Sequence, residues 1–168
     1  MMDSAAVVAA LTCLEDHAIT AWVDGGWGID ALVGEQTREH DDLDLVVAQS
    51  TLEAAASVLG ALGYFHDATV EPGLPARMVL LDSERGQIDL HPVVLDEWGN
   101  GWQPLGNGAW CSYPADGLTG TGVVSRRRVR CLTPELQLRH HLGYAPDADD
   151  HHDLRLLAEH FGLALPRD

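Results

Sequence analysis

Arg38-Glu39-His40-Asp41-Asp42-Leu43-Asp44-Leu45-Val46-Val47 sets two carboxylates, Asp42 and Asp44, two residues apart at the head of an apolar run. Successive side chains of a β-strand point to opposite faces, so Asp42 and Asp44 share a face while Leu43 turns into the core behind them. Asp41 faces the other way and reads as a surface or turn residue. Two carboxylates aimed at one point repel each other, and one pKa rises unless a cation sits between them. Hard oxygen ligands of this kind suit Mg²⁺, which takes one or two carboxylates together with substrate phosphates. A third aspartate, Asp89, lies in the later strand-like run Gln87-Ile88-Asp89-Leu90-His91, and the same alternation puts His91 on its face. The pattern points to a magnesium–nucleotide site.

Upstream, Ile19 to Val23 reads as a short strand, Gly25-Gly26 as a turn, and Trp27 to Val33 as a helical segment that stops at Gly34. Glycines let backbone approach a phosphate closely, and a helix N-terminus offers free amides to an anion. Arg38 and His40 stand just before the carboxylate strand, where either can reach a triphosphate. Asp30 reads as structural, bonding backbone nearby or Arg38.

The remaining elements follow from periodicity and caps. Asp3 or Ser4 caps a first helix with Val7, Val8, Leu11 and Leu14 on one stripe. Ser50-Thr51-Leu52-Glu53 reads as a capping box opening a helix closed by Gly63. Tyr64 to Val70 reads as a strand, and Arg77 to Leu81 with Gln87 to Leu95 as a hairpin around Ser83-Glu84-Arg85-Gly86. From Asp96 to Thr121 the chain turns rich in Gly, Asn and Pro and carries Trp98, Trp102 and Trp110, which predicts a long functional loop with short strands. The tryptophans either stack on a ring or cover the loop. Val123-Val124 and Val129 to Leu132 form a last hairpin or edge. Thr133-Pro134-Glu135 starts a helix to about residue 142, and a second runs from about 150 to 161 before Gly162. The expected architecture is α+β: a body over residues 1–132 and a C-terminal helical pair over 133–168.

The chain has 168 residues and a formal net charge of −16, and its ten basic residues are all arginine. Such a field repels nucleic acid and anionic membrane, which argues against both as partners. The short cluster Arg126-Arg127-Arg128 with Arg130 reads as an edge strand blunted by charge. Cys13, Cys111 and Cys131 lack zinc-like spacing and read as reduced thiols. There is no basic leader at the start and no run of the ~20 apolar residues a span requires. A cytoplasmic protein is expected.

Taken together, Trp22-Val23-Asp24-Gly25-Gly26-Trp27-Gly28-Ile29-Asp30 and Arg38-Glu39-His40-Asp41-Asp42-Leu43-Asp44 resemble the minimal nucleotidyltransferases of the polymerase-β superfamily. Within it the likeness is to antibiotic nucleotidyltransferases, the lincosamide enzymes first and the aminoglycoside enzymes next. Pro75-Ala76-Arg77-Met78, Gln87-Ile88-Asp89-Leu90-His91-Pro92, and His141-Leu142-Gly143-Tyr144 with Asp150-His151-His152-Asp153 extend it to about residue 157. The resemblance implies a mixed sheet flanked by helices. It implies that Asp42 and Asp44 hold one or two Mg²⁺ ions, with Asp89 as a further ligand or the general base, and that Gly25 and Gly26 hold the nucleotide. Many members carry Gly-Ser at this turn; here Gly26 is followed by Trp27, so the grip on phosphate falls to backbone.

The implied reaction moves AMP from ATP, or the equivalent group of another nucleoside triphosphate, to a hydroxyl of a small antibiotic. Arg38 and His40 are expected at the nucleotide, and His91 and Tyr144 at the acceptor. Leu136, Leu142, Leu154 and Leu157 form an apolar stripe on the helical pair, part of which could serve a two-fold contact, so a homodimer is expected. A minimal-nucleotidyltransferase antitoxin acting on a toxin protein is a further alternative. The histidines of 140–152 also suggest a His-Asp metal phosphohydrolase, but such sites draw ligands from several helices of an all-helical bundle, and only two helices remain here; some of these side chains, with Tyr144 and Asp150, are expected instead to line the acceptor pocket or a dimer contact.

Overall fold

A computed structural model of the chain describes residues 1–142 and 147–165. Its centre is a mixed sheet in the order β1-β2-β5-β4-β3. The strands are β1 (Ala21–Asp24), β2 (Asp42–Ala48), β3 (Phe65–His66), β4 (Met78–Asp82) and β5 (Gly86–Leu95). β2 and β5 run parallel, and the other neighbours are antiparallel. β6 (Gly101–Pro104) pairs with the end of β5, and β7 (Trp110–Tyr113) pairs with β6. A separate hairpin joins β8 (Thr121–Val124) to β9 (Arg127–Arg130).

Alternation along these strands divides the molecule. Leu43, Leu45 and Val47 of β2, Ile88 and Leu90 of β5, and Ala21 and Val23 of β1 are buried in one apolar cluster. They meet Val7, Leu11 and Leu14 of α1 (Ser4–Asp16) and Leu52, Ala55 and Leu59 of α3 (Leu52–Gly60). Truncating such a fully buried leucine to alanine costs about 2–5 kcal/mol. The opposite face carries Asp24, Asp42, Asp44, Gln87, Asp89 and His91. Further along it, Val46 and Val93 join a small second core with Tyr113, Leu132 and Leu136. The polar end of that face is the candidate site.

α2 (Gly25–Val33) begins at the glycines themselves, earlier than the expected Trp27, and closes at Gly34 in the left-handed conformation (φ 90°). α4 (Pro134–His141) and α5 (Ala148–Phe161) pack on α2 and on each other. Leu136, Leu154 and Leu157 are buried within the chain, so the apolar stripe is used mostly on the body and leaves Leu142 exposed. The proposed box at Ser50–Glu53 does not form. A 3-10 turn over Gln49–Thr51 precedes α3, and the Thr51 hydroxyl donates instead to the Ala48 carbonyl at 3.0 Å. A box does form at α5, where Asp147 and Asp150 bond each other's backbone amides. The strand expected over 64–70 is reduced to Phe65–His66.

Candidate active site

Strand register gathers the carboxylates. Asp24 of β1 pairs with Asp44 of β2, which pairs with Asp89 of β5. Asp44, Asp89 and His91 bring one ligand atom each within 4.8 Å of one another. Asp42 sits one step outside this group on the same face of β2. Burial and the charges of Asp44 and Asp89 push its carboxyl up to about 6. Asp89 is fully buried and also raised, by burial and Asp44, against the opposing pull of Arg77 and Gln87. Arg77 bonds one Asp89 oxygen, and Gln87 donates to the other at 2.7 Å. This is a cluster of negative charge that a cation would relieve, and its oxygen donors fit Mg²⁺.

His91 is fixed by a relay. The Tyr113 hydroxyl donates to Gln103 Oε1 at 2.7 Å, and Gln103 Nε2 donates to the Ala76 carbonyl at 2.7 Å. That orientation turns the second amide hydrogen toward His91 Nδ1, 3.1 Å away. His91 Nδ1 is therefore an acceptor, and Nε2–H donates to Asp44 at 2.8 Å. Two influences oppose each other on this ring. Burial lowers its pKa, while the Asp44 bond and the Asp24 and Asp89 charges raise it to a net increase. The Gln103 amide disfavours a second ring proton, and this geometry holds the neutral tautomer.

The glycine turn lies against the same carboxylates. Asp24 caps α2, its Oδ1 accepting the Gly25 amide at 2.8 Å. Gly25 has φ 59°, and a Cβ there would fall 2.3 Å from Asp44 Oδ2. A Cβ on Gly26 would fall 2.4 Å from His40 Nδ1 and 2.6 Å from Arg38 Nη2. The turn is glycine because three side chains occupy the space. His40 is buried, its Nε2 2.5 Å from Asp30 Oδ2, and the other Asp30 oxygen accepts the Thr37 amide and hydroxyl. Arg38 grips buried Asp153 of α5 with two bonds, of 3.1 and 2.7 Å. The acids and histidines of α5 thus fasten it to the segment before β2, and His152 Nε2 lies 3.2 Å from the Thr37 hydroxyl.

A second imidazole completes the wall. His140 Nδ1 lies 3.8 Å from Asp24 Oδ2, Nε2 lies 3.6 Å from Cys111 Sγ, and the ring meets Tyr113 edge-on. Burial opposes protonation, but the Asp24 and Cys111 bonds outweigh it and push His140 up to about 10. Asp24 is lowered: burial raises it, and the His140 bond and charge more than offset that. Trp102 and Trp110 alternate with Gln103 and Cys111 along β6 and β7 and stand on the other face, largely exposed. Tyr144 lies outside the described residues.

Sequence reasoning named Asp42, Asp44, Asp89, His91 and the glycines; Asp44, Asp89 and His91 come together, Gly25 lies against Asp44, and Asp42 stands one step outside. Asp24, Arg77, Gln87, Gln103 and Tyr113 were given no role in the site, and His140, expected with its neighbours at the acceptor pocket or a dimer contact, stands against Asp24. Gln87 was within reach, being two residues from Asp89 on one strand face.

Comparison with known proteins places this geometry. A family model described as Aminoglycoside-2''-adenylyltransferase matches residues 6–157. A lincosamide resistance protein of Staphylococcus haemolyticus is 33% identical over 147 residues, covering 88% of this chain and 89% of the relative. A 2''-aminoglycoside nucleotidyltransferase of Escherichia coli is 40% identical over 53 residues, or 30% of each chain. The crystal structure of lincosamide antibiotic adenylyltransferase LnuA, lincomycin-bound, superposes with a TM-score of 0.81 at 30% identity, covering 93% of this chain and 96% of that one. ANT(2'')-Ia in complex with adenylyl-2''-tobramycin shares the fold, with a TM-score of 0.74 at 20% identity over 95% of this chain and 89% of that one.

Proposed function

Since the chain belongs to the aminoglycoside-2''-adenylyltransferase family and is an antibiotic nucleotidyltransferase, we propose that it transfers AMP from ATP to a hydroxyl of a lincosamide. The observation that carries this reading is the convergence of Asp44, Asp89 and His91 beside Asp42 and the Gly25 turn. The lincosamide is preferred because sequence identity to the staphylococcal protein is 33% over 88% of the chain and LnuA superposes with a TM-score of 0.81, against 0.74 at 20% identity for ANT(2'')-Ia. An aminoglycoside is the second reading, since a net charge of −16 suits a polycation.

Asp42, Asp44 and Asp89 would hold one or two Mg²⁺ ions. The metal would supply charge stabilisation on the phosphoryl oxygens. In the transfer, the acceptor oxygen bonds to the α-phosphorus, the bond from that phosphorus to pyrophosphate breaks, and the hydroxyl proton passes to a base. Asp89 suits the base because burial and the Asp44 charge raise its pKa above that of an ordinary carboxylate, and Arg77 and Gln87 fix where it points. Gly25 and Gly26, with Arg38 and His40 beside them, form the phosphate end through backbone amides at the start of α2. His91 presents a neutral ring to the acceptor, aimed by Gln103. Tyr144 remains a proposed acceptor contact. No helix among the described residues is long and apolar enough to cross a membrane. We place the enzyme in the cytoplasm, where its nucleotide is. The proposed homodimer rests on exposed Leu142 beside the helical pair.

Incubating the enzyme with lincomycin or tobramycin, each nucleoside triphosphate, and Mg²⁺ or chelator, with readout by mass spectrometry, tests the reading. One adenylyl group on lincomycin, dependent on Mg²⁺, is expected. Adenylylation of tobramycin alone would give the second reading, and transfer to neither would overturn both.

A further inference from the structure

His140 stands between the glycine turn and the ribbon of β6 and β7. Its Nδ1 lies 3.8 Å from Asp24 Oδ2, at the end of β1. Its Nε2 lies 3.4 Å from the Ser112 carbonyl oxygen and 3.6 Å from Cys111 Sγ, both on β7. A carboxylate and a carbonyl oxygen only accept, so both ring nitrogens donate here and the ring is an imidazolium. Burial opposes that charge, and the bonds to Asp24 and Cys111 outweigh it. The position of the ring is fixed by its surroundings. The Leu132 amide donates to the Val23 carbonyl at 3.1 Å, which holds the approach to α4 beside β1. Leu136 anchors α4 in the second core, and the Tyr113 ring meets the imidazole edge-on.

Asp24 is the group that needs a cation. Its register partner is Asp44, and Asp89 follows on the next strand, so negative charge already accumulates along this row. The other Asp24 oxygen, Oδ1, accepts the Gly25 amide at 2.8 Å, at the turn proposed for phosphate. An uncompensated carboxylate there would offset the pull of the helix N-terminus on an anion and repel a triphosphate. The arginines nearby are engaged elsewhere: Arg38 pairs with Asp149 and Asp153, and Arg77 with Asp89. His91 accepts the Gln103 amide hydrogen and is neutral. We propose that His140 is a positioning residue for the nucleotide, neutralising Asp24 and holding it on the Gly25 amide so that the turn admits a nucleoside triphosphate. The inference rests on the transfer reading and gives α4 a part in it.

Calorimetric titration of the protein with Mg²⁺ and a non-hydrolysable ATP analogue, beside steady-state kinetics with lincomycin, tests it. The temperature is set where thermal melts show every variant folded. His140→Gln should weaken the analogue and raise the KM for ATP by about tenfold or more, with a smaller change in the KM for lincomycin. Adding Asp24→Asn should restore nucleotide affinity, because asparagine still caps α2 through its side-chain oxygen and carries no charge. Undiminished nucleotide affinity in His140→Gln would overturn the proposal. So would a loss that Asp24→Asn does not restore, or a rise confined to the KM for lincomycin. Wild type that binds no Mg-nucleotide would overturn the transfer reading and this role together. Wild type that binds and transfers, with His140→Gln its equal, would overturn this role alone.

Discussion

His140 Nδ1 lies 3.8 Å from Asp24 Oδ2, an ion pair that joins α4 to the residue capping the glycine helix. His140 is raised to about 10, so its contribution to stability is complete below its unfolded value near 6.5 and is lost as pH rises through about 10. His140→Gln should therefore lower stability by on the order of 1–2 kcal/mol at pH 8 and remove the alkaline part of the pH dependence. Adding Asp24→Asn should recover much of that loss. Urea melts across pH, on the four proteins of the cycle, measure it.

Gly25→Ala sets a methyl 2.3 Å from Asp44 Oδ2 and forces φ 59° on a side chain. The strain is about 1–2 kcal/mol, which the fold can absorb, but the carboxylate must move. Turnover should fall by on the order of 10² or more while the melting temperature drops by only a few degrees. Steady-state kinetics beside a thermal melt separates the two, and full turnover would contradict the arrangement.

Asp42 titrates near 6, above its unfolded value, so its ionisation opposes folding. That group's stabilisation is present below about pH 4 and is lost as pH rises through about 6. Without metal, Asp42→Asn should be more stable than wild type at pH 7.5, by about 1–2 kcal/mol after allowing for solvent screening. Mg²⁺ should stabilise wild type above pH 6 and the variant less. The variant should have no transferase activity.

Asp89→Asn distinguishes base from ligand. As a base, its loss should reduce kcat by about 10²–10⁴ with little change in nucleotide affinity. Recovery of rate at high Mg²⁺ would make Asp89 a ligand instead. Arg77→Ala should produce a smaller loss, about tenfold, and move the acid limb of the pH–rate profile upward, because Asp89 would lose the cation that holds it down.

What could be read beforehand divides along sequence separation. Asp42, Asp44, Asp89 and His91 follow from a two-residue period on short apolar strands, and that period is local. Arg38 and His40 were placed by adjacency, but their actual grips, on Asp153 and Asp30, depend on how α5 and α2 return to the strand. The Tyr113–Gln103–His91 relay needed the pairing of three strands across the Gly- and Trp-rich segment, where composition suggested a loop with short strands but not which strands pair. Ser50–Glu53 carried a box signature, and the chain tightened into a 3-10 turn before it could form.

The division of labour between strands also bears on how resistance spreads. The carboxylate cluster is carried by β2 and β5, inside the core, whereas Gln103, Cys111 and Tyr113 line the wall from β6 and β7, peripheral strands joined to the sheet through the end of β5. Exchanges at Trp102 and Trp110, on the other face of that peripheral ribbon, leave the Tyr113–Gln103–His91 relay and the carboxylates in place. An enzyme so built can be selected onto a new drug by changes in one segment, and surveillance of variants is best directed at residues 96–121.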